Sequence, residues 1–246
     1  MDKIALITGA AGGLGQAMAA KLSAAGWKLI LTSRDGARLT QCYGDKHLQI
    51  VTDCSTVAGA RNIFEVAKDH HLLPTALAHC VGNIRLGALH RTSEADFDAC
   101  LSANLISAFH TLAAFVGALR EANSPGSAVL VSSAAARIGT PNHEAVSAAK
   151  AGLEGLVRGA AATYASSAIR VNAVAPGILD TPASARILSS DAAREGAARQ
   201  YPLPGIGTSD GVAELMLWLL SEKADRVTGQ VWSIDGGFSS IRPLVK

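Results

Sequence analysis

The stretch "KIALITGAAGGLGQAMAAKLSAAG", Lys3 to Gly26, decides the fold. Lys3–Thr8 is a short apolar run without alternation, as a strand buried on both faces requires. Glycines follow at once. Helix-forming residues come next and close on Gly26, a helix stop. A strand, a glycine turn and a helix in that order open a βαβ unit.

Outward from this stretch the order repeats. "KLILTS", "LQIVTD", "TALAHCVG", "SAVLVSS", "RVNAVAPG" and "QVWSIDGG" read as six further strands. Helix-like segments separate them, the longest being "SEADFDACLSANLISAFHTLAAFVGALREA" and "HEAVSAAKAGLEGLVRGAAATYA". Alternation of this kind predicts an α/β fold, a doubly wound Rossmann domain over residues 1–246 with a seven-stranded, mostly parallel sheet. "SARILSSDAAREGAARQYPLPGIGTSDG" (184–211) follows the sixth strand at the carboxyl edge, where ligands bind in such sheets. It reads as a substrate lid or as a surface helical pair.

Composition agrees and excludes other classes. Hydrophobic residues make up 49% of the chain but aromatics only 4%, which suits close helices on a sheet better than a β-sandwich. Twenty-two basic against 20 acidic side chains leave a net charge of +2, too weak a bias for nucleic acid as the main partner. Cys42, Cys54, Cys80 and Cys100 are widely spaced and form no C-x-x-C, so free thiols in a reducing cytoplasm are expected. The apolar run at the start is short and broken by glycines, unlike a signal peptide. No stretch reads as the roughly 20 apolar residues that a membrane span needs. No metal site is expected; His70 and His71 lack a third ligand at suitable spacing.

The glycine turn suggests a ligand. In "TGAAGGLG" (Thr8–Gly15), Gly9, Gly13 and Gly15 let the backbone approach a pyrophosphate. The helix start behind them offers free N–H groups and the positive end of a dipole. At the end of the second strand a dinucleotide site specific for NAD usually carries an acid, whereas an arginine accommodates a 2′-phosphate. Here Ser33 stands in the acid's place and Arg34 follows. A guanidinium pairs with phosphate through two bonds, so NADP(H) is favoured over NAD(H). Asp35 works against this if it neutralises Arg34.

These residues resemble the short-chain dehydrogenase/reductase family, almost from end to end. "TGAAGGLG" is similar to its T-G-x-x-x-G-x-G loop, with Thr8 and Leu14 in register, and "TDCS" to the turn whose acid, Asp53 here, lies near adenine. The resemblance puts the helix asparagine at Asn104, the serine at Ser133 and the lysine at Lys150. "RVNAVAPGILDT" is similar to the segment that covers the nicotinamide, with Pro176, Gly177, Ile178 and Thr181 in place. The resemblance implies hydride transfer between a nicotinamide and a carbonyl or a conjugated C=C, and a homodimer or homotetramer built on paired long helices.

Two departures are as specific. The family's N-N-A-G is His79-Cys80-Val81-Gly82 here, and Val146 occupies the place of the tyrosine four residues before the lysine. That tyrosine protonates the carbonyl oxygen, helped by lysine, serine and an asparagine-held water. Valine has no proton to give. Three readings remain. In the first, His143, seven residues before Lys150, supplies it; enoyl-acyl-carrier-protein reductases resemble this spacing with a tyrosine seven before their lysine. With Asn142 as N-cap and Glu144 in the first turn, His143 is expected mostly neutral. In the second, Ser133, a water at Asn104 and Lys150 deliver the proton slowly. In the third, catalysis is lost and the chain is an inactive dinucleotide-binding homologue, a sensor or partner subunit. Tyr201, in the 184–211 segment, reads as packing, and His79 as core or cofactor wall.

Overall fold

In the computed structural model, which describes residues 3–242, seven strands form one sheet in the order β3-β2-β1-β4-β5-β6-β7. The strands are β1 (Ile4–Thr8), β2 (Lys28–Ser33), β3 (Leu48–Val51), β4 (Ala76–His79), β5 (Gly126–Val131), β6 (Ile169–Pro176) and β7 (Val231–Ile234). Each overlaps the stretch expected from its apolar run, β5 and β6 beginning one residue before it. Every pairing is parallel, so no antiparallel edge qualifies the sheet.

Because side chains alternate along a strand, β1 feeds two cores. Ile4 and Leu6 face helices α3 (Val57–Asp69), α5 (Ser107–Glu121) and α6 (Glu144–Tyr164). Ala5 and Ile7 face α1 (Gly13–Ala24), α2 (Gly36–Tyr43) and α8 (Ser209–Leu220). The strand order reverses between β1 and β4. A crevice opens there at the carboxyl ends, since the loops leave in opposite directions.

Helix α4 (Glu94–Leu101) runs into α5 through a π turn, Ser102–Ile106. The joined helix, Glu94–Glu121, is long and apolar enough by composition to cross a membrane, contrary to the sequence reading. Its apolarity has another use: Leu112, Phe115, Val116 and Leu119 are buried under the sheet. The 184–211 segment holds one helix of its own, α7 (Asp191–Ala198), and ends in the first turn of α8, so it is not a helical pair.

Candidate active site

The loop after β1 is shaped by its own backbone. Gly9 has φ +67°, and a Cβ there would lie 3.0 Å from the backbone of Cys80 and Val81. A Cβ on Gly15 would lie 2.3 Å from the Gly9 carbonyl oxygen, closer than atoms can approach. Gly12 N–H donates to Gly9 O (2.9 Å), and the Tyr43 hydroxyl donates to Ala10 O (2.7 Å). No acidic residue stands in the first turn of α1. A bare-backbone cradle at a helix N-terminus without nearby carboxylates fits a pyrophosphate.

At the end of β2, Asp35 does not neutralise Arg34. Its carboxylate accepts from Arg38 N–H (3.0 Å) and caps α2, while Ser33 Oγ accepts from Asp35 N–H (3.1 Å). The exposed Arg34 guanidinium faces Asp53 instead, with Nη1 3.8 Å from Oδ2. Partial burial pushes the Asp53 carboxyl up, but the two bonds from Ser55 and the charge of Arg34 outweigh it and hold the group below its ordinary value.

Asn104 and Lys150 meet behind the β4 loop. Asn104 sits buried in the π turn; its amide donates to Cys100 O (3.0 Å) and to Asn83 Oδ1 (2.8 Å), and its Oδ1 accepts from Asn83 N–H (3.3 Å). A Cβ on Gly82 would lie 2.8 Å from Asn104 Oδ1 and 3.4 Å from Lys150 Nζ, so only glycine lets the chain pass between them. Lys150 Nζ donates to Val131 O (2.7 Å), its one hydrogen-bond acceptor among the described residues. Two of its three N–H donors are left for a ligand. Burial brings its pKa down to about 8, against the opposing influence of Cys100 and Cys80.

His79, at the end of β4, is fully buried and is a structural bridge. Ser107 Oγ donates to Ala103 O (2.7 Å), so it accepts from His79 Nε2–H (3.2 Å), and Thr8 Oγ1 donates to His79 Nδ1 (2.8 Å). The ring therefore ties β1 to α5. Burial, and secondarily Lys150, bring its pKa down to about 3, so it stays neutral. Sequence reading placed His79 in the core or cofactor wall but gave no sign of these partners.

The β5–α6 side carries the departures. Ser133 caps a short 3-10 turn, its Oγ accepting from Ala135 N–H (3.2 Å). Val146 is buried and packs with Ala145, Cys100 and Phe97. Asn142 is not the N-cap of α6. It has φ +63°, and His143 takes the cap position. The chain thus enters α6 through a left-handed residue, which asparagine tolerates. His143 Nδ1–H donates to Pro141 O (2.8 Å), which leaves Nε2 as the free nitrogen. Among the described residues no hydrogen bond joins His143 to Ser133 or Lys150.

The segment after β6 lies against the glycine loop. Pro176 ends the strand, and Gly177 lies under the ring of Tyr201. The Tyr201 hydroxyl accepts from Ile178 N–H (2.7 Å). Thr181 approaches the phosphate loop, its Cγ2 3.1 Å from a Cβ built on Gly13. Arg194 of α7 pairs with Asp180, tying the 184–211 segment to this strap.

Known proteins share this fold. A family model described as enoyl-(acyl carrier protein) reductase matches residues 9–239. The cis-4-hydroxycyclohexanecarboxylate dehydrogenase of Sinomonas cyclohexanicum is 33% identical over 250 aligned positions, covering 98% of each chain. The chain belongs to the short-chain dehydrogenase/reductase family. A 3-oxoacyl-(acyl-carrier-protein) reductase of Thermotoga maritima is 32% identical over 96% of this chain and 97% of its own. Levodione reductase superposes with a TM-score of 0.89 at 28% identity, covering 98% of this chain and 99% of its own. A variant of ElxO with NADPH bound does so with 0.89 at 25%, covering 98% of this chain and all of its own. Membership of this family makes the chain an oxidoreductase.

Proposed function

We propose that this short-chain dehydrogenase/reductase uses NADP(H) to reduce a carbonyl, or an alkene conjugated to one, and oxidises the alcohol in reverse. The observation that carries the reading is the buried Lys150 ammonium with spare donors, beside Asn104 and one helical turn from Val146. A bound nicotinamide supplies or accepts the hydride. Gly9, Gly13, Leu14 and Gly15 hold the pyrophosphate beside Thr8, Ser33 and Arg34 receive the 2′-phosphate, Asp53 lies by adenine and Lys150 binds ribose. Pro176, Gly177, Ile178 and Thr181 cover the nicotinamide, and the 184–211 segment is the substrate lid. Ser133 binds the substrate oxygen, and Asn104 holds a water. The enzyme works in the cytoplasm as a homodimer or homotetramer.

His143 is the proposed proton donor, and its geometry sets a condition. With Nδ1–H engaged by Pro141 O, the neutral ring presents a lone pair at Nε2. It serves as base in alcohol oxidation, and must first become imidazolium to donate in reduction.

Fluorescence titration with NADPH and NADH tests the cofactor. Arg34→Ala is expected to weaken NADPH about 10-fold, the loss of one charge-assisted contact, and leave NADH unchanged; a wild-type preference for NADH overturns the assignment. A panel of cyclic ketones, 3-oxoacyl thioesters and enones, assayed in wild type and His143→Ala, tests the chemistry. Unchanged activity in His143→Ala dismisses the histidine. NADPH binding with no turnover of any panel member supports an inactive homologue.

A further inference from the structure

Glu154 lies on α6 one turn beyond Lys150, and its side chain is buried. Its Oε1 accepts from Ser132 Oγ (2.9 Å) and from Arg137 Nε (3.2 Å); Arg158 stands further off, Nη1 3.9 Å from Oε2. Ser132 and Arg137 are the two ends of the turn that carries Ser133. The same turn is held on its other sides by bonds to backbone carbonyls. Ser132 N–H donates to Val174 O of β6 (2.7 Å), and Arg137 Nη2 donates to Val231 O of β7 (3.0 Å). Lys150 donates to Val131 O just before it. One helix thus grips the end of β5 twice, with an ammonium before Ser133 and a carboxylate around it. Bonds to an ionised acceptor are the stronger kind, and burial excludes water that would compete for them.

We propose that Glu154 is a positioning residue, which holds the 132–137 turn through Ser132 and Arg137 so that Ser133 Oγ faces the substrate oxygen. The role rests on the reading of Ser133 given above. It touches neither cofactor nor substrate, so its removal affects the chemical step and leaves dinucleotide binding alone. Glutamine keeps an oxygen acceptor for both donors, whereas alanine keeps none.

The test compares Glu154→Ala, Glu154→Gln, Ser132→Ala and Ser133→Ala with wild type, full length. It uses the panel substrate that wild type reduces fastest. Hydrogen–deuterium exchange over 132–137 with NADPH present gives a readout free of turnover. In Glu154→Ala, exchange there is expected to rise at least 10-fold. Its kcat falls at least 10-fold while the NADPH Kd stays within 2-fold, and Glu154→Gln recovers most of both losses. Ser132→Ala shows a smaller loss of the same kind, and stands in for Glu154→Ala should that variant fail to fold. Exchange unchanged in Glu154→Ala, or in Ser132→Ala where that stands in, overturns the proposal. So does a Glu154→Gln as impaired as Glu154→Ala, or a loss of kcat matched by a loss of NADPH affinity. Ser133→Ala separates the two claims. If it leaves turnover intact, the reading of Ser133 fails first; if it abolishes turnover while Glu154→Ala does not lower it, only Glu154 is dismissed.

Discussion

The glycine loop, the proposed phosphate site, and the start of α6, the proposed proton-transfer site, are held by different means. Around Gly9 and Gly15 the shape is backbone against backbone, with 2.3 Å where a side chain would have to begin. Around Val146 and His143 the shape is made by side chains, namely a valine packed on Cys100 and an imidazole leaning on Pro141 O. Backbone requirements admit one residue type and persist as a motif. Side-chain requirements admit substitutes. A chain can therefore keep every glycine of a dinucleotide cradle while exchanging the group that moves the proton.

That contrast can be broken first at His79, a buried titratable side chain that fastens the end of β1 beside the glycine loop. Its pKa is about 3 in the folded protein against 6.5 in the open chain, so the unfolded state binds the extra proton. Stability is full above pH 6.5 and is lost as pH falls toward 3, by roughly 5 kcal/mol at 1.36 per unit, an upper bound. His79→Asn should flatten the acid limb of a urea-melt series; an unchanged pH profile would mean that the ring is not held as described.

The next test is Gly15→Ala. It forces the loop apart and should weaken NADPH at least 100-fold, about 3 kcal/mol, in a fluorescence titration. A normal Kd would show that the cradle is not backbone-limited. Val146→Tyr probes the other end. A phenol four residues before Lys150 should raise ketone reduction about 100-fold in an NADPH-oxidation assay, in line with one positioned general acid. Overpacking against Cys100 and Phe97 should cost about 1–3 kcal/mol in the same variant, read as a lower Tm. Unchanged reduction in a folded Val146→Tyr would place the proton donor elsewhere and make the substitution irrelevant to the chemistry.

The same division governs what the sequence disclosed. The seven strands were legible because buried parallel strands are short, continuous apolar runs, and the glycine loop because its residue type is forced. Local chemistry misled in small ways. Asp35 follows Arg34 in sequence, yet it caps α2, because the helix that starts at the next residue claims its carboxylate through Arg38 N–H. Asn142 looked like an N-cap, but the turn needs it left-handed, and His143 takes that place. Partnerships across the chain left no local mark. Nothing in "AHCVG" announces Thr8 and Ser107 as the partners of His79, and nothing in "AKAGLEGL" announces that Glu154 reaches Ser132.

The π turn at Ser102–Ile106 has a consequence for evolution and engineering. An ordinary helix advances 100° per residue, so one surplus residue spends more than a quarter of a circle of rotation. Excising a single amino acid there would let the rod straighten into a better helix by every local criterion. It would also rotate Phe97 and Cys100 away from the wall they now build, relative to the buried stripe of Leu112 and Phe115. Deletion scanning should find this spot intolerant, although it lies mid-helix, because Asn104 sits within the turn and would be displaced with it.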